Sequence, residues 1–111
     1  MKTIRTFAPG ERYDFDFGEC SAANGWAQID TRQDASYYGT WCSPARREIL
    51  NYCEGDVTRQ IAETDEEFVA AVREHQDWVD GAGNGPMKID PGFAPELKAA
   101  FERLGLSDLL H

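Results

Sequence analysis

Basic residues are scarce in this chain. Eleven Lys and Arg stand against twenty Asp and Glu, for a net charge of −9. A chain this acidic repels nucleic-acid phosphates, which argues against direct binding of DNA or RNA. It suits a basic protein surface instead, including the basic groove of a nucleic-acid enzyme. Long apolar runs are missing too: nothing approaches the ~18 residues that suggest a membrane span. The opening MKTIRTFAPG has a basic start but no continuous apolar segment, so it does not read as a secretory signal, and a cytoplasmic location is expected. Cysteine is limited to Cys20, Cys42 and Cys53, with no CxxC spacing. Three cannot all pair internally, and free thiols in a reducing compartment are the simple reading, with a disulfide or a metal site as alternatives. Glycines cluster at 81–85, but that stretch follows a helical pattern and lacks the Lys-Ser/Thr ending of a phosphate loop. There is no internal repeat and no low-complexity tract.

What is present is enough for one ordinary domain. The chain has 111 residues, 41% hydrophobic, with thirteen aromatics, sufficient for a packed core without disulfides. Its organising stretch is residues 47–80. Leu50 and Tyr52 alternate with Ile49, Asn51 and Cys53, and Val57, Arg59 and Ile61 alternate with Thr58, Gln60 and Ala62, the period of two half-buried strands. Gly55 supplies the positive φ of a tight turn, with Glu54-Gly55 or Gly55-Asp56 as the loop. The face with Leu50, Tyr52, Val57, Arg59 and Ile61 is expected to meet the core, Arg59 running its stem along apolar surface to reach water or an acid. Thr64 then opens a helix, with Glu67 completing a capping box and Asp65 and Glu66 suiting the positive end of the helix dipole. Phe68, Val72, His75 and Val79 form its apolar stripe, Ala71 and Trp78 lie beside it, and Gly81 is the expected stop.

The rest reads as strands first and helices last. Residues 2–8 suggest a short edge strand. At 11–17, Tyr13, Phe15 and Phe17 alternate with Arg12, Asp14 and Asp16 in a strand with one aromatic and one charged face. Residues 26–31 suggest a further strand. The aromatic run 37–42 suggests another, with Gly39 marking a bulge or a close approach. A short extended segment at 87–90 precedes a second helix begun by Pro95, striped by Leu97, Ala100, Phe101 and Leu104 and ended by Gly105. Ser107 caps a final turn. The class is α+β: a single domain with a mainly antiparallel sheet of about five strands, and two helices of the C-terminal half packed on one face.

Candidate chemistry is thin. His75 could pair with Cys53 or Cys42 as base and nucleophile, but a histidine on an apolar stripe is ordinarily a core-edge residue satisfied by a nearby group. Asp14 and Asp16 with Asp30 or Asp34 could gather round a hard cation, yet the spacing matches no calcium loop. No cofactor, metal or catalytic set is expected. The charge is concentrated: residues 63–80 carry −6, from seven acids against Arg73. Helix capping explains Asp65, Glu66 and Glu67 but not Glu54 and Asp56 at the hairpin tip. If the tip and the helix start share an edge, they make one negative patch capable of phosphate mimicry. The plain alternative is a solvated acidic surface that aids solubility. Tyr37 and Trp41 share one face of their strand and Tyr38 takes the other, so the exposed side is expected to serve a partner.

Two stretches, DASYYGTWCSP at 34–44 and YCEGDVTRQIAETDEEFV at 52–69, resemble a group of small acidic bacterial proteins of plasmid and phage accessory type. The similarity extends over residues 26–78, roughly half the chain. The group has no assigned activity, so it lends no functional residues. The resemblance implies an accessory role, such as inhibition of a host nucleic-acid enzyme in the manner of anti-CRISPR and anti-restriction proteins. The leading expectation is a non-enzymatic module that engages the basic surface of a protein partner through Glu54, Asp56, Glu63, Glu66, Tyr38 and Trp41, without direct nucleic-acid or membrane contact. The alternatives are a small Cys/His/Asp enzyme or metal protein built on Cys53, His75 and Asp30, and a homo-oligomer formed through sheet edges.

Overall fold

The computed structural model describes residues 2–6, 20–30, 38–53, 56–83 and 85–110. The strand expected at 11–17 lies outside them. Among the described residues six strands form one sheet: β1 (Lys2–Thr6), β2 (Ala27–Asp30), β3 (Tyr38–Ser43), β4 (Glu48–Cys53), β5 (Asp56–Ile61) and β6 (Lys88–Asp90). Their order is β1-β5-β4-β3-β2-β6, every neighbouring pair antiparallel. β1 takes an edge, as its short and irregular pattern suggests. Cys53 pairs with Asp56, so 54–55 connect β4 to β5, one of the two registers that the turn allowed.

α1 (Asp65–Gly81) and α2 (Pro95–Arg103) follow the strands from which they are linked. Thr64 caps α1, its hydroxyl accepting from the Glu67 N–H at 3.1 Å, and three acids fill the first turn. α1 runs through Gly81, and the left-handed residue that ends it is Gly83 rather than the expected Gly81. At the end of α2, Gly105 has φ +76°. The Gly105 N–H donates to the Glu102 carbonyl and the Leu106 N–H to that of Phe101, the paired closure that a glycine permits after a helix.

Both helices bury their stripes against the same side of the sheet. Phe68, Val72 and Val79 of α1 and Leu97 and Phe101 of α2 join Ala27, Ile29, Cys42, Ile49 and Ile89 in one core, completed by Met87, Leu106 and Leu109. This corrects the expected face of the central hairpin. The helix side is the Ile49 side, and Leu50 lies on the other. Leu50 is nevertheless buried, in a smaller cluster with Cys20 and Trp26, flanked by Trp41 and Tyr52. β4 is apolar on both sides, so alternation alone could not say which side the helices cover.

Two arginines tie the turns to their neighbours. Arg47, in the left-handed region at φ 51°, donates from Nε to Asp65 at 2.9 Å and from Nη1 to the Glu63 carbonyl, joining the β3–β4 turn to the start of α1. Arg46 lies 5.5 Å from the Trp26 ring centroid and donates to the Asn24 carbonyl at 2.6 Å. On the same side as Leu50, Arg59 reaches an acid as its placement requires: its Nε donates to the buried Glu48 carboxylate at 2.6 Å. Gly39 is a close approach and not a bulge. The β3–β4 register runs without a break through it, and a Cβ there would lie 2.5 Å from the Trp41 ring.

Candidate functional site

The residues expected to meet a partner, as far as they are described, belong to different parts of the fold. Glu63 and Glu66 are exposed at the start of α1. Trp41 packs beside Leu50 and Trp26, on the side of the sheet away from the helices. Tyr38 opens β3 opposite Cys53, and Asp56 opens β5. Glu54 lies outside the described residues. The premise of a shared edge also fails for Asp56. It begins β5, whereas Glu63 follows the other end of that strand, a separation of roughly 17 Å along the strand at ~3.3 Å per residue.

The structure places the unbalanced charge on the outer face of α1. Glu66, Glu74 and Asp77 are exposed there, a helical spacing that lines one side of the rod. Neither they nor Glu63 form an ion pair among the described residues. The remaining charges nearby are engaged. Asp65 is paired with Arg47. Asp80 accepts from the Met87 N–H at 2.9 Å and so fastens the end of α1 to the strand that follows. Arg73 turns away to the C-terminal turn, where its two terminal nitrogens donate to the Asp108 carboxylate at 2.8 Å each. That ion pair pulls the Asp108 carboxyl below its ordinary range.

Trp78 borders these acids, next to Asp77 and one turn beyond Glu74, with 56% of its surface exposed. The sequence places it beside the apolar stripe, but its exposure follows from a helix flank that the sheet does not cover. Its ring stacks on His75, with centroids 5.8 Å apart and planes 26° from parallel. His75 and Trp78 line a pocket of about 300 Å3 with Ala71 and Glu74 of α1, Ile49 of β4 and Gln60 of β5. The four helix positions follow the i, i+3, i+4, i+7 spacing of one helix flank. The sheet positions are supplied by register, since Ile49 and Gln60 are direct partners across β4 and β5.

His75 departs from the expectation of a satisfied core-edge residue. Its Nε2 is buried and has no hydrogen-bond partner among the described residues, an arrangement that costs roughly 1–3 kcal/mol. Burial also pushes its pKa below the ordinary value, so the ring is neutral near pH 7. The thiol chemistry considered for it is not assembled at Cys42. That side chain is fully buried in the main core, and burial raises its pKa far above the ordinary value, which leaves a thiol and not a nucleophilic thiolate. Among the described residues, neither Cys42 nor Cys20 forms a disulfide. The Cys53 and Asp30 side chains are not among those described, and Asp14, Asp16 and Asp34 lie outside the described residues. Among the described residues no three His, Cys, Asp or Glu side chains gather as a metal site.

A separate groove of about 480 Å3 runs between residues 22–25, the turn at Pro44 and Ala45, and the start of α2 at Ala94–Leu97. Phe93, next to it, is fully exposed. No helix among the described residues is long and apolar enough to cross a membrane. Comparison of the chain with family models, with curated proteins and with solved structures found no match.

Proposed function

We propose that this chain is a non-enzymatic, cytoplasmic protein-binding module that presents the outer face of α1 to a basic surface on a protein partner. The observation that carries the reading is the half-exposed Trp78 at the border of a helix face that exposes Glu66, Glu74 and Asp77. An acidic face alone would serve solubility. A large aromatic at its border adds apolar area of the kind that anchors interfaces. The surrounding carboxylates would steer a basic partner and fix its orientation. A nucleic-acid-handling complex is a fitting class of partner, because its groove is basic and the acids of α1 would occupy it as phosphates do. The accessory role implied by the resemblance at 34–44 and 52–69 agrees with this.

The test is retention of a partner from a lysate of the native host by immobilised protein at low and high salt. Exposed charges are screened over about 10 Å at ~0.1 M salt and over less at higher concentration. The reading expects a partner held at low salt and released at high salt, and lost at both when Trp78→Ala is combined with Glu66→Gln. Retention that ignores both salt and these substitutions would contradict it.

A further inference from the structure

The pocket behind Trp78 has features that an acidic, solubilising helix does not require. Its volume of about 300 Å3 sits at the lower end of the roughly 300–1,000 Å3 of small-molecule sites, a size suited to one inserted side chain. Its wall combines an indole ring, a carboxylate (Glu74), a side-chain amide (Gln60) and apolar Ile49 and Ala71. The indole is held in place by its stack on His75, and the pocket opens beside the exposed acids of α1.

We propose that this pocket receives one arginine side chain of the basic partner, a proposal that rests on the acidic-face reading and specifies its point of contact. The complementarity is one of shape and charge together. A guanidinium is planar, lies flat on an indole face and offers several N–H donors in one plane. Glu74 can take two of those donors as a bidentate pair, and the Gln60 amide oxygen is a further acceptor. Ile49 and Ala71 line the path of the aliphatic stem. Lysine, a compact and more strongly hydrated charge, would use the carboxylate but gain less from the ring. His75 lies in the same wall, and its neutral ring adds no positive charge against the guanidinium.

The experiment is an NMR titration of the 15N-labelled full chain with the peptide Gly-Lys-Gly-Arg-Gly-Lys-Gly, and with versions whose central arginine is lysine or norleucine. The expected result is movement of the Trp78 indole, Gln60 side-chain and His75 resonances with the arginine peptide. Binding should be roughly tenfold weaker with norleucine and severalfold weaker with lysine. Glu74→Gln and Trp78→Ala should each weaken the arginine peptide about tenfold, and Trp78→Phe should restore part of the loss while urea midpoints confirm that all three variants fold. Shifts confined to Glu63, Glu66 and Asp77, with equal affinity for all three peptides, would overturn the pocket and leave the acidic face standing. Absence of any shift would also overturn the pocket, and the lysate experiment would then decide the wider reading by itself.

Discussion

α1 and α2 do the same work on their inner faces and different work on their outer ones. Inside, Phe68, Val72 and Val79 on one helix and Leu97 and Phe101 on the other enter a single core against the sheet. Outside, α2 mixes signs, with Glu96 and Glu102 exposed alongside Lys98 and Arg103. α1 has one cation, Arg73, and that cation is occupied by Asp108. It also exposes Trp78, where packing could have hidden it or a polar residue replaced it. Packing and mixed charge account for the outer face of α2. They leave the outer face of α1 unexplained, and that remainder is where binding is assigned.

The comparison can be broken most forcefully from the inside. Phe68 and Phe101 are both fully buried, so Phe68→Ala and Phe101→Ala should each cost about 3–5 kcal/mol of stability, read from urea unfolding. A large loss from one and almost none from the other would show that the helices do not share a core on equal terms.

The helix starts should differ by less and in opposite directions. Thr64 caps α1 through its hydroxyl, and Thr64→Ala should cost about 1 kcal/mol. α2 begins at Ala94 with no side-chain cap and an extended backbone that a serine can adopt. Ala94→Ser should therefore stabilise the chain, by about 0.5–1 kcal/mol. Stabilisation by neither serine at 94 nor threonine at 64 would mean that the caps do not limit stability.

α1 was legible in the sequence because independent local signals agreed: a capping box, acids in the first turn and a stripe from Phe68 to Val79. The hairpin was legible for the same reason, since Gly55 lay between two alternating runs. The side of β4 that faces the helices was not, because Ile49 and Leu50 are both buried and two apolar neighbours in one strand carry no directional signal. The pocket was less legible still. Ala71, Glu74, His75 and Trp78 fall on one flank by helical spacing, but Ile49 and Gln60 join them only through strand register and helix placement. Glu54, Asp56 and Trp41 attracted notice by type, as acids at a turn and an aromatic in a strand, and type says nothing about which side of a sheet a residue occupies.

A smaller effect distinguishes the helices by pH. Burial lowers the His75 pKa; the residues facing it from β4 and β5, Ile49 and Gln60, are uncharged, and Glu74 is its charged neighbour in the pocket. A folded pKa below the unfolded value means that the unfolded chain binds the proton first. Stability is then complete above the unfolded value of ~6.5 and declines as pH falls below it towards the folded value. Urea midpoints should drop between about pH 7.5 and about pH 5.5, and His75→Gln should shrink that drop. An equal drop in both proteins would remove His75 as its source.

The most direct test of the central claim sets the two outer faces against each other at constant charge. Glu66→Gln with Asp77→Asn on α1, and Glu96→Gln with Glu102→Gln on α2, each remove two acids and change the net charge from −9 to −7. Retention of the host partner is then measured for both against the unaltered chain across a salt series. The account predicts that the α1 pair reduces retention about tenfold and flattens its salt dependence, while the α2 pair stays within about twofold. Equal losses from the two would mean that overall charge and not the face of α1 draws the partner, and would contradict the account.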